Sequence, residues 1–232
     1  MTGLIGATEG EVKNLVAALT DAKTETYFGM TFYAGTLAGE PVVITRAGVG
    51  KVNAALAAGV MILRYRPDRL LNTGVAGALA AGLVQGDVVI ATSLVEYDMD
   101  TTPLGEPRGL LSIGGRELVE LPTDAEMVAA LSRAAGAEGH AARLGMVATG
   151  DKFVAGADAK AAILRDFPAL ACEMEGAAIA HAAYAAGVPV AVLRVISDSA
   201  DGSAKLDYPT FAGVAAEKCQ RIVCAYLASL RA

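Results

Sequence analysis

The chain has 232 residues, of which 54% are hydrophobic and 19% are charged, and its formal net charge is −6. The high apolar content excludes a disordered chain, and three cysteines are too few for a disulfide scaffold. Because no run of Lys and Arg forms a basic face, nucleic acid is excluded as a partner. The length predicts one domain that spans residues 1–232.

The sequence predicts no membrane segment and no metal site. The first ten residues lack a basic region and a long apolar stretch, so we expect no signal peptide. The uncharged stretches 70–86 and 176–193 contain polar residues, glycines or Pro189, which favours buried strands and helices over membrane spans. The cysteines form no CxxC and the two histidines are isolated, which predicts free thiols in the cytoplasm and no bound metal.

Short apolar runs alternate with helical patterns along the chain, which is typical of an α/β fold. Strands are predicted at 4–7, at two runs of 26–46 joined by a hairpin turn at 38–40, and at 69–73, 87–95, 143–149, 171–174 and 188–196. Helices are predicted at 9–19, 51–65, 123–135, 157–165, 175–186 and 208–230. A glycine-rich turn is predicted at 74–77, and the longest loop at 102–115.

Gly48, Val49 and Gly50 precede a predicted helix and invite comparison with phosphate-binding loops. Position 53 is Asn, where a dinucleotide fingerprint needs Gly, and the residues of a P-loop are also missing. We therefore interpret this segment as a tight turn that lets the backbone approach another group closely.

Acidic residues follow the first and the last predicted strands, where α/β folds place ligands. Glu9 and Glu11 come after the first strand, and their alternative role is to stabilise the first turn of a helix. Asp198 follows Ser197 at the end of the most apolar strand, where solubility gives no reason for a carboxylate. The alternative for Asp198 is an N-cap of the following turn.

A third acidic feature, Glu173-Met174-Glu175, opens an alanine-rich helix. Successive residues of a strand point to opposite faces, so one glutamate can face a cleft while the other makes structural bonds. A charged N-cap region is the alternative interpretation. Carboxylates in a partly desolvated cleft separate into an acid and a base, which suits hydrolysis through a cationic transition state.

Six motifs occur in one order along residues 6–211, and together they resemble the nucleoside phosphorylase/hydrolase superfamily. They are Gly6-Ala7-x-x-x-Glu11-Val12, Gly48-Val49-Gly50-Lys51-Val52, Asn72-Thr73-Gly74-x-Ala76-Gly77, Thr149-Gly150-Asp151-x-Phe153, Glu173-Met174-Glu175 and Arg194-x-Ile196-Ser197-Asp198. The resemblance implies a three-layer αβα sandwich with a central mixed, twisted sheet flanked by helices. It also implies a homodimer without metal or organic cofactor.

Within that superfamily, the resemblance is strongest to members that hydrolyse the N-glycosidic bond of 5′-methylthioadenosine and S-adenosylhomocysteine. It implies release of adenine and a 5-thioribose product, with 5′-deoxyadenosine as a further substrate. A purine nucleoside phosphorylase and a futalosine-type hydrolase of the same fold are the alternatives. A non-catalytic nucleoside-binding module is a further alternative, although such a module would have lost Glu11 or Asp198.

The resemblance also implies roles for individual residues. Asp198 would protonate adenine N7, and Glu11 would deprotonate the attacking water. Glu175 would bind ribose hydroxyls, with Met174 packed against the sugar. The other implied substrate contacts are Thr8, Val49, Val75, Phe153, Val154, Glu173, Arg194, Ser197, Ala200, Tyr208 and Phe211, with Thr101 and Leu104 supplied by a partner subunit.

Among these contacts, Phe153 would stack on the purine and the Val154 backbone would bind its edge. Arg194 would orient the carboxylates, while Tyr208 and Phe211 would line the pocket for the 5′-substituent.

Several positions depart from the pattern of the superfamily. Val75 stands where many relatives carry Ser, and no arginine accompanies it as in the phosphate loop of phosphorylases. This favours water over phosphate as the nucleophile. Thr8 replaces a frequent Met, Tyr208 replaces a Phe and Leu104 replaces another aromatic residue. The last two changes predict a pocket of altered shape for the 5′-substituent.

Overall fold

The computed structural model describes the backbone of residues 1–200 and 204–231, and the side chains of residues 1–200 and 211–231. Its strands are β1 (Thr2–Gly6), β2 (Thr20–Tyr27), β3 (Met30–Leu37), β4 (Glu40–Arg46), β5 (Arg69–Ala78), β6 (Val88–Glu96), β7 (Leu111–Ile113), β8 (Arg116–Leu118), β9 (Leu121–Pro122), β10 (Ala142–Thr149), β11 (Ala169–Glu173) and β12 (Val190–Asp198). Its helices are α1 (Glu9–Ala17), α2 (Lys51–Tyr65), α3 (Ala125–Ala137), α4 (Ala157–Asp166), α5 (Gly176–Ala186) and α6 (Ala204–Ser229), with a 3₁₀ turn at Thr102–Leu104.

Ten of these strands form one mixed sheet in the order β11-β10-β6-β12-β5-β1-β4-β3-β2, with β9 paired to β6. The central pairs β12–β5, β5–β1 and β1–β4 are parallel, whereas β2, β3 and β4 form an antiparallel extension. All nine residues of β12 are buried, as its apolar sequence predicts for a central strand. The carboxyl ends of β1, β5 and β12 therefore lie close together. The end of β11 joins them because Ala171 and Cys172 pair in antiparallel fashion with Ala78 and Gly77 of β5.

Helices cover both faces of the sheet, which confirms the predicted layered α/β architecture. On one face α2 and α5 pack through small residues, among them Ala54, Ala57 and Ala180, because alanine lets helix axes approach closely. On the other face α1, α3 and α6 enclose a second cluster that includes Leu15 and Tyr226. Of the described helices, not one combines the length and the hydrophobicity that a membrane span requires.

The predicted glycine-rich turn at 74–77 is wrong, because β5 continues through Ala78 and pairs with β12 along this stretch. A Cβ atom at Gly74 would overlap the side chains of Glu11 and Arg194. A Cβ atom at Gly77 would come within 3.0 Å of the Asp198 carboxylate. These glycines therefore give charged side chains room against the strand instead of turning the chain.

Other elements also differ in extent from the sequence prediction, and β2 begins at Thr20, before the runs predicted within 26–46. The loop 102–115 contains a 3₁₀ turn, and β7 forms a hairpin with β8. These strands have three residues each, too few for a period of two to stand out. Helix α6 begins at Ala204 instead of residue 208. Of the two residues that the sequence offers as the opening of α3, Thr123 and Asp124, it is Asp124 that caps the helix, since its carboxylate accepts a hydrogen bond from the Met127 N–H at 2.8 Å.

Candidate active site

A cavity of about 360 Å³ opens at the carboxyl ends of the central strands. Such strand ends are where open α/β sheets bind ligands. The cavity is lined by Ala7, Thr8, Glu11, Val49, Val75, Ala76, Gly77, Lys152, Phe153, Val154, Cys172, Glu173, Met174, Glu175, Ser197 and Asp198. It thus brings together most of the residues that the sequence predicts for the site.

Glu11 is held in this cavity by main-chain groups. It occupies the third position of α1, forms a capping box with Thr8 and is only 4% exposed. Its Oε2 accepts hydrogen bonds from the N–H groups of Ala7 and Thr8 at 2.8 Å each, and its Oε1 accepts one from the Val75 N–H at 3.1 Å. Glu11 therefore both caps the helix and faces the cavity, whereas the exposed Glu9 pairs with Arg46 at 3.3 Å.

Asp198 ends β12 and is 3% exposed. Its Oδ2 accepts a hydrogen bond from the Ser197 hydroxyl at 2.8 Å, and its Oδ1 accepts one from the Ala200 N–H at 2.9 Å. The pairing with β5 shifts register between Ile196 and Asp198, so that Asp198 lies opposite Gly77. The close backbone at Gly77 leaves space for the carboxylate beside it.

Glu173 uses its carboxylate oxygens for bonds within the chain. Oε2 accepts from the Glu175 and Gly176 N–H groups at 3.0 and 2.7 Å, and it also pairs with Arg194. Oε1 accepts from the hydroxyl of Thr149, which in turn accepts from the Ala177 N–H at 2.8 Å. Although Glu173 lines the cavity, its bonds cap α5 and fix the start of the segment that carries Glu175.

Arg194 lies behind the cavity wall and is 1% exposed. Its Nη2 contacts Glu173 and the side-chain oxygen of Asn72, and it lies 3.8 Å from the Oε2 of Glu175. It thus orders the carboxylates from behind and does not line the cavity. The sequence motifs included Asn72 and Thr149 without indicating that Asn72 holds the guanidinium or that Thr149 holds Glu173.

Glu175 faces the cavity at the start of α5, where its Oε1 accepts the Gly50 N–H at 3.0 Å. Burial, and next to it the charge of Glu173, raise the pKa of Glu175 to about 7, although Arg194 acts in the opposite direction. A carboxyl group whose pKa lies near 7 can take up and release a proton at physiological pH, and such groups are common in functional sites.

Replacing Glu175 by Gln is expected to stabilise the fold at pH 8 by on the order of 3 kcal/mol, because each pKa unit is worth about 1.4 kcal/mol. The folded-state pKa lies above the ordinary value of 4.5, so the native chain loses stability as pH rises from about 4.5 through 7. Glutamine keeps the acceptor for Gly50 and does not ionise. Urea unfolding at pH 5 and pH 8 measures the effect, and the difference in unfolding free energy between the variant and the native chain should be larger at pH 8.

The matched control for this substitution is Glu117→Gln at an exposed position of β8. Equal stability of Glu175→Gln and the native chain at both pH values would contradict an elevated pKa for Glu175.

Other predicted residues lie apart from the cavity. Ala200 is buried and contributes its N–H to Asp198, while Phe211 packs against the cluster between the sheet and α6. Thr101 and Leu104 do not line the cavity, and Leu104 is 79% exposed. The side chain of Tyr208 lies outside the described residues.

Cys172 lines the cavity although the sequence indicated only a buried thiol. Its Sγ contacts the Gly77 carbonyl at 3.7 Å, and burial raises the pKa of this thiol to about 12. At neutral pH it is a protonated thiol, so it is no nucleophile. Lys152 is a second lining residue that the sequence did not single out.

A layered α/β sheet with carboxylates at its strand ends is the arrangement that the six sequence motifs imply, and the comparisons with known proteins support it. The model of the phosphorylase superfamily matches residues 2–228, and the chain belongs to that superfamily. It is 39% identical over 211 residues to the 5′-methylthioadenosine/S-adenosylhomocysteine nucleosidase of Shewanella baltica, covering 90% of this chain and 88% of the relative.

Solved structures support the same relationship. The 5′-methylthioadenosine/S-adenosylhomocysteine nucleosidase of Neisseria meningitidis, in complex with methylthio-immucillin-A, superposes with a TM-score of 0.94 at 35% identity over 98% of both chains. The futalosine hydrolase of Helicobacter pylori gives 0.92 at 28% identity over 98% of this chain and 97% of its own. These similarities confirm the resemblance drawn from the six motifs.

Proposed function

We propose that this chain is an N-glycosyl hydrolase that cleaves 5′-methylthioadenosine and S-adenosylhomocysteine, with 5′-deoxyadenosine as a further substrate. The observation that carries the proposal is the convergence of Glu11, Glu175 and Asp198 on one cavity at the strand ends. The identity to the Shewanella baltica nucleosidase over most of both chains supports the same reaction. Futalosine hydrolysis is the weaker alternative, because the futalosine hydrolase is 28% identical to this chain whereas the Shewanella baltica nucleosidase is 39% identical.

The geometry supports a division of labour between the carboxyl groups. Water attacks C1′ of the ribose while the C1′–N9 bond breaks, and the electron pair of the broken bond leaves with adenine. Asp198 donates a proton to N7, so that the base departs neutral, and Glu11 accepts a proton from the water. Glu175 binds ribose hydroxyls, and the nearby carboxylates stabilise the developing positive charge of the sugar.

The surroundings of Glu11 support water as the nucleophile. A phosphate placed there would approach Glu11 and Glu175, and like charges at short range repel strongly in a buried site. The guanidinium of Arg194 is already paired with Glu173, and Lys152 is exposed at the rim. Val75 supplies a main-chain N–H to Glu11 but no hydroxyl for an anion.

Hydrolysis should proceed at the same rate with and without inorganic phosphate, because a neutral water needs no anion site. The test is chromatography of the products from 5′-methylthioadenosine, S-adenosylhomocysteine, adenosine, inosine and futalosine, each with and without phosphate. We expect free adenine and the reducing sugar from the first two. A strict requirement for phosphate with release of ribose 1-phosphates would assign the chain to the phosphorylases. Preference for futalosine would favour the alternative hydrolase.

We further propose that the chain functions as one domain and as a homodimer in the cytoplasm. Val52, Leu56 and Leu63 form an exposed apolar stripe along α2, with 71%, 40% and 81% of their surfaces accessible. Contiguous exposed apolar surface of this kind is typical of subunit interfaces. In such a dimer Thr101 and Leu104 would complete the neighbouring subunit's pocket for the 5′-substituent.

A further inference from the structure

Asp151 belongs to a motif of the sequence, yet the proposed mechanism gives it no task. It is exposed and does not line the cavity. It lies two residues before Phe153 and three before Val154, which both line the cavity. Its bonds connect this segment to distant parts of the chain.

Asp151 forms a closed ring of hydrogen bonds with Lys51 and Asp98, which lie in two other segments of the chain. Its Oδ1 accepts the main-chain N–H of Lys51 at 2.7 Å, and its own N–H donates to Oδ2 of Asp98 at 2.9 Å. The Lys51 ammonium donates to the other oxygen of Asp98 at 2.7 Å. The ring thereby joins the start of α2 to the segments that follow β6 and β10.

The same turn at the start of α2 also holds Glu175. The Gly50 N–H donates to Glu175, and the next N–H along the chain, that of Lys51, donates to Asp151. No side chain of its own caps this helix, so both carboxylates accept from its free N–H groups and benefit from its dipole. Gly50 has φ +97, and a Cβ there would lie 2.9 Å from Oδ1 of Asp151.

We propose that Asp151 is a positioning residue that holds the 152–154 segment in register with the carboxylate of Glu175. On the proposed function, on which this inference rests, the 152–154 segment contacts the base and Glu175 contacts the ribose. The start of α2 therefore fixes the relative positions of the groups that contact the base and the ribose. Glu11 and Asp198 are held by other donors, among them the N–H groups of residues 7, 8 and 75 for Glu11, and the Ala200 N–H and the Ser197 hydroxyl for Asp198.

This separation predicts that Asp151 acts on substrate binding more than on the chemical step. We expect Asp151→Ala to raise KM for 5′-methylthioadenosine about tenfold, the size of one lost charge-assisted hydrogen bond, and to change kcat less than about threefold. Asp151→Asn keeps an acceptor for Lys51 and should restore KM to within about threefold of the native value. Asp158→Ala, an exposed aspartate in the first turn of α4, is the matched control and should leave KM unchanged.

Asp98→Ala removes the Asp98 carboxylate from the same ring, so it tests the proposal whether or not Asp151→Ala folds. It should also raise KM for 5′-methylthioadenosine. The KM of the double variant should be no higher than that of Asp151→Ala, because substitutions within one network are not additive. A native KM in Asp151→Ala or Asp98→Ala, an equal loss in Asp151→Asn and Asp151→Ala, or full additivity would overturn the proposal. Failure of the native chain to release adenine would instead overturn the proposed function.

Discussion

Asp198→Asn is expected to lower kcat for adenine release by about a thousandfold, within the range for loss of a general acid. Asparagine has nearly the same shape, and its oxygen can still accept the Ala200 N–H that holds Asp198 at 2.9 Å. The Ser197 hydroxyl can rotate to accept a hydrogen bond from the new amide. The variant therefore keeps the pocket but has no proton to give to N7.

The measurement pairs kcat, from the release of adenine, with the dissociation constant of a non-hydrolysable methylthioadenosine analogue by calorimetry. We expect affinity to change less than about tenfold, since the acid acts mainly in the transition state. Ser197→Ala is the matched control, because it removes the neighbouring hydroxyl and keeps the carboxyl group. Near-native turnover in Asp198→Asn would exclude Asp198 as the acid.

Arg194→Met is expected to lower the free energy of unfolding by about 3–5 kcal/mol, the range for breaking a buried ion pair from one side. Methionine matches the length of the aliphatic stem but leaves Glu173 and Glu175 without the guanidinium that lies against them. The loss should shrink at lower pH, because a carboxylate deprived of its partner takes up a proton more readily.

Denaturant unfolding at pH 5 and pH 8 measures this effect. Arg143→Met at an exposed position of β10 is the matched control and should change stability by no more than about 0.5 kcal/mol. The double variant Arg194→Met/Glu173→Gln should recover part of the loss, since it removes one uncompensated charge. A loss in Arg194→Met as small as that of the control would mean that Arg194 contributes little to holding the carboxylates.

The sequence predicted the strands that bear the site because their apolar runs are long and their acidic residues stand out at the ends. It failed at 74–77, where glycine signals either a turn or a close approach, and only the neighbouring Glu11 and Arg194 decide between them. The bond from Asn72 to Arg194 joins residues 122 positions apart, which no local pattern reveals. The short hairpin of β7 and β8 was missed for lack of length.

The main-chain N–H groups that hold Glu11 have a consequence for how this site tolerates sequence change. Three N–H donors fix its carboxylate, and they are present whatever side chains residues 7, 8 and 75 carry, proline excepted. Substitutions there, such as Val75 in place of Ser, leave the anchorage intact. Insertion or deletion of one residue between β1 and α1 would misplace two of the donors at once. The site is thus robust to changes of residue type and vulnerable to changes of chain length.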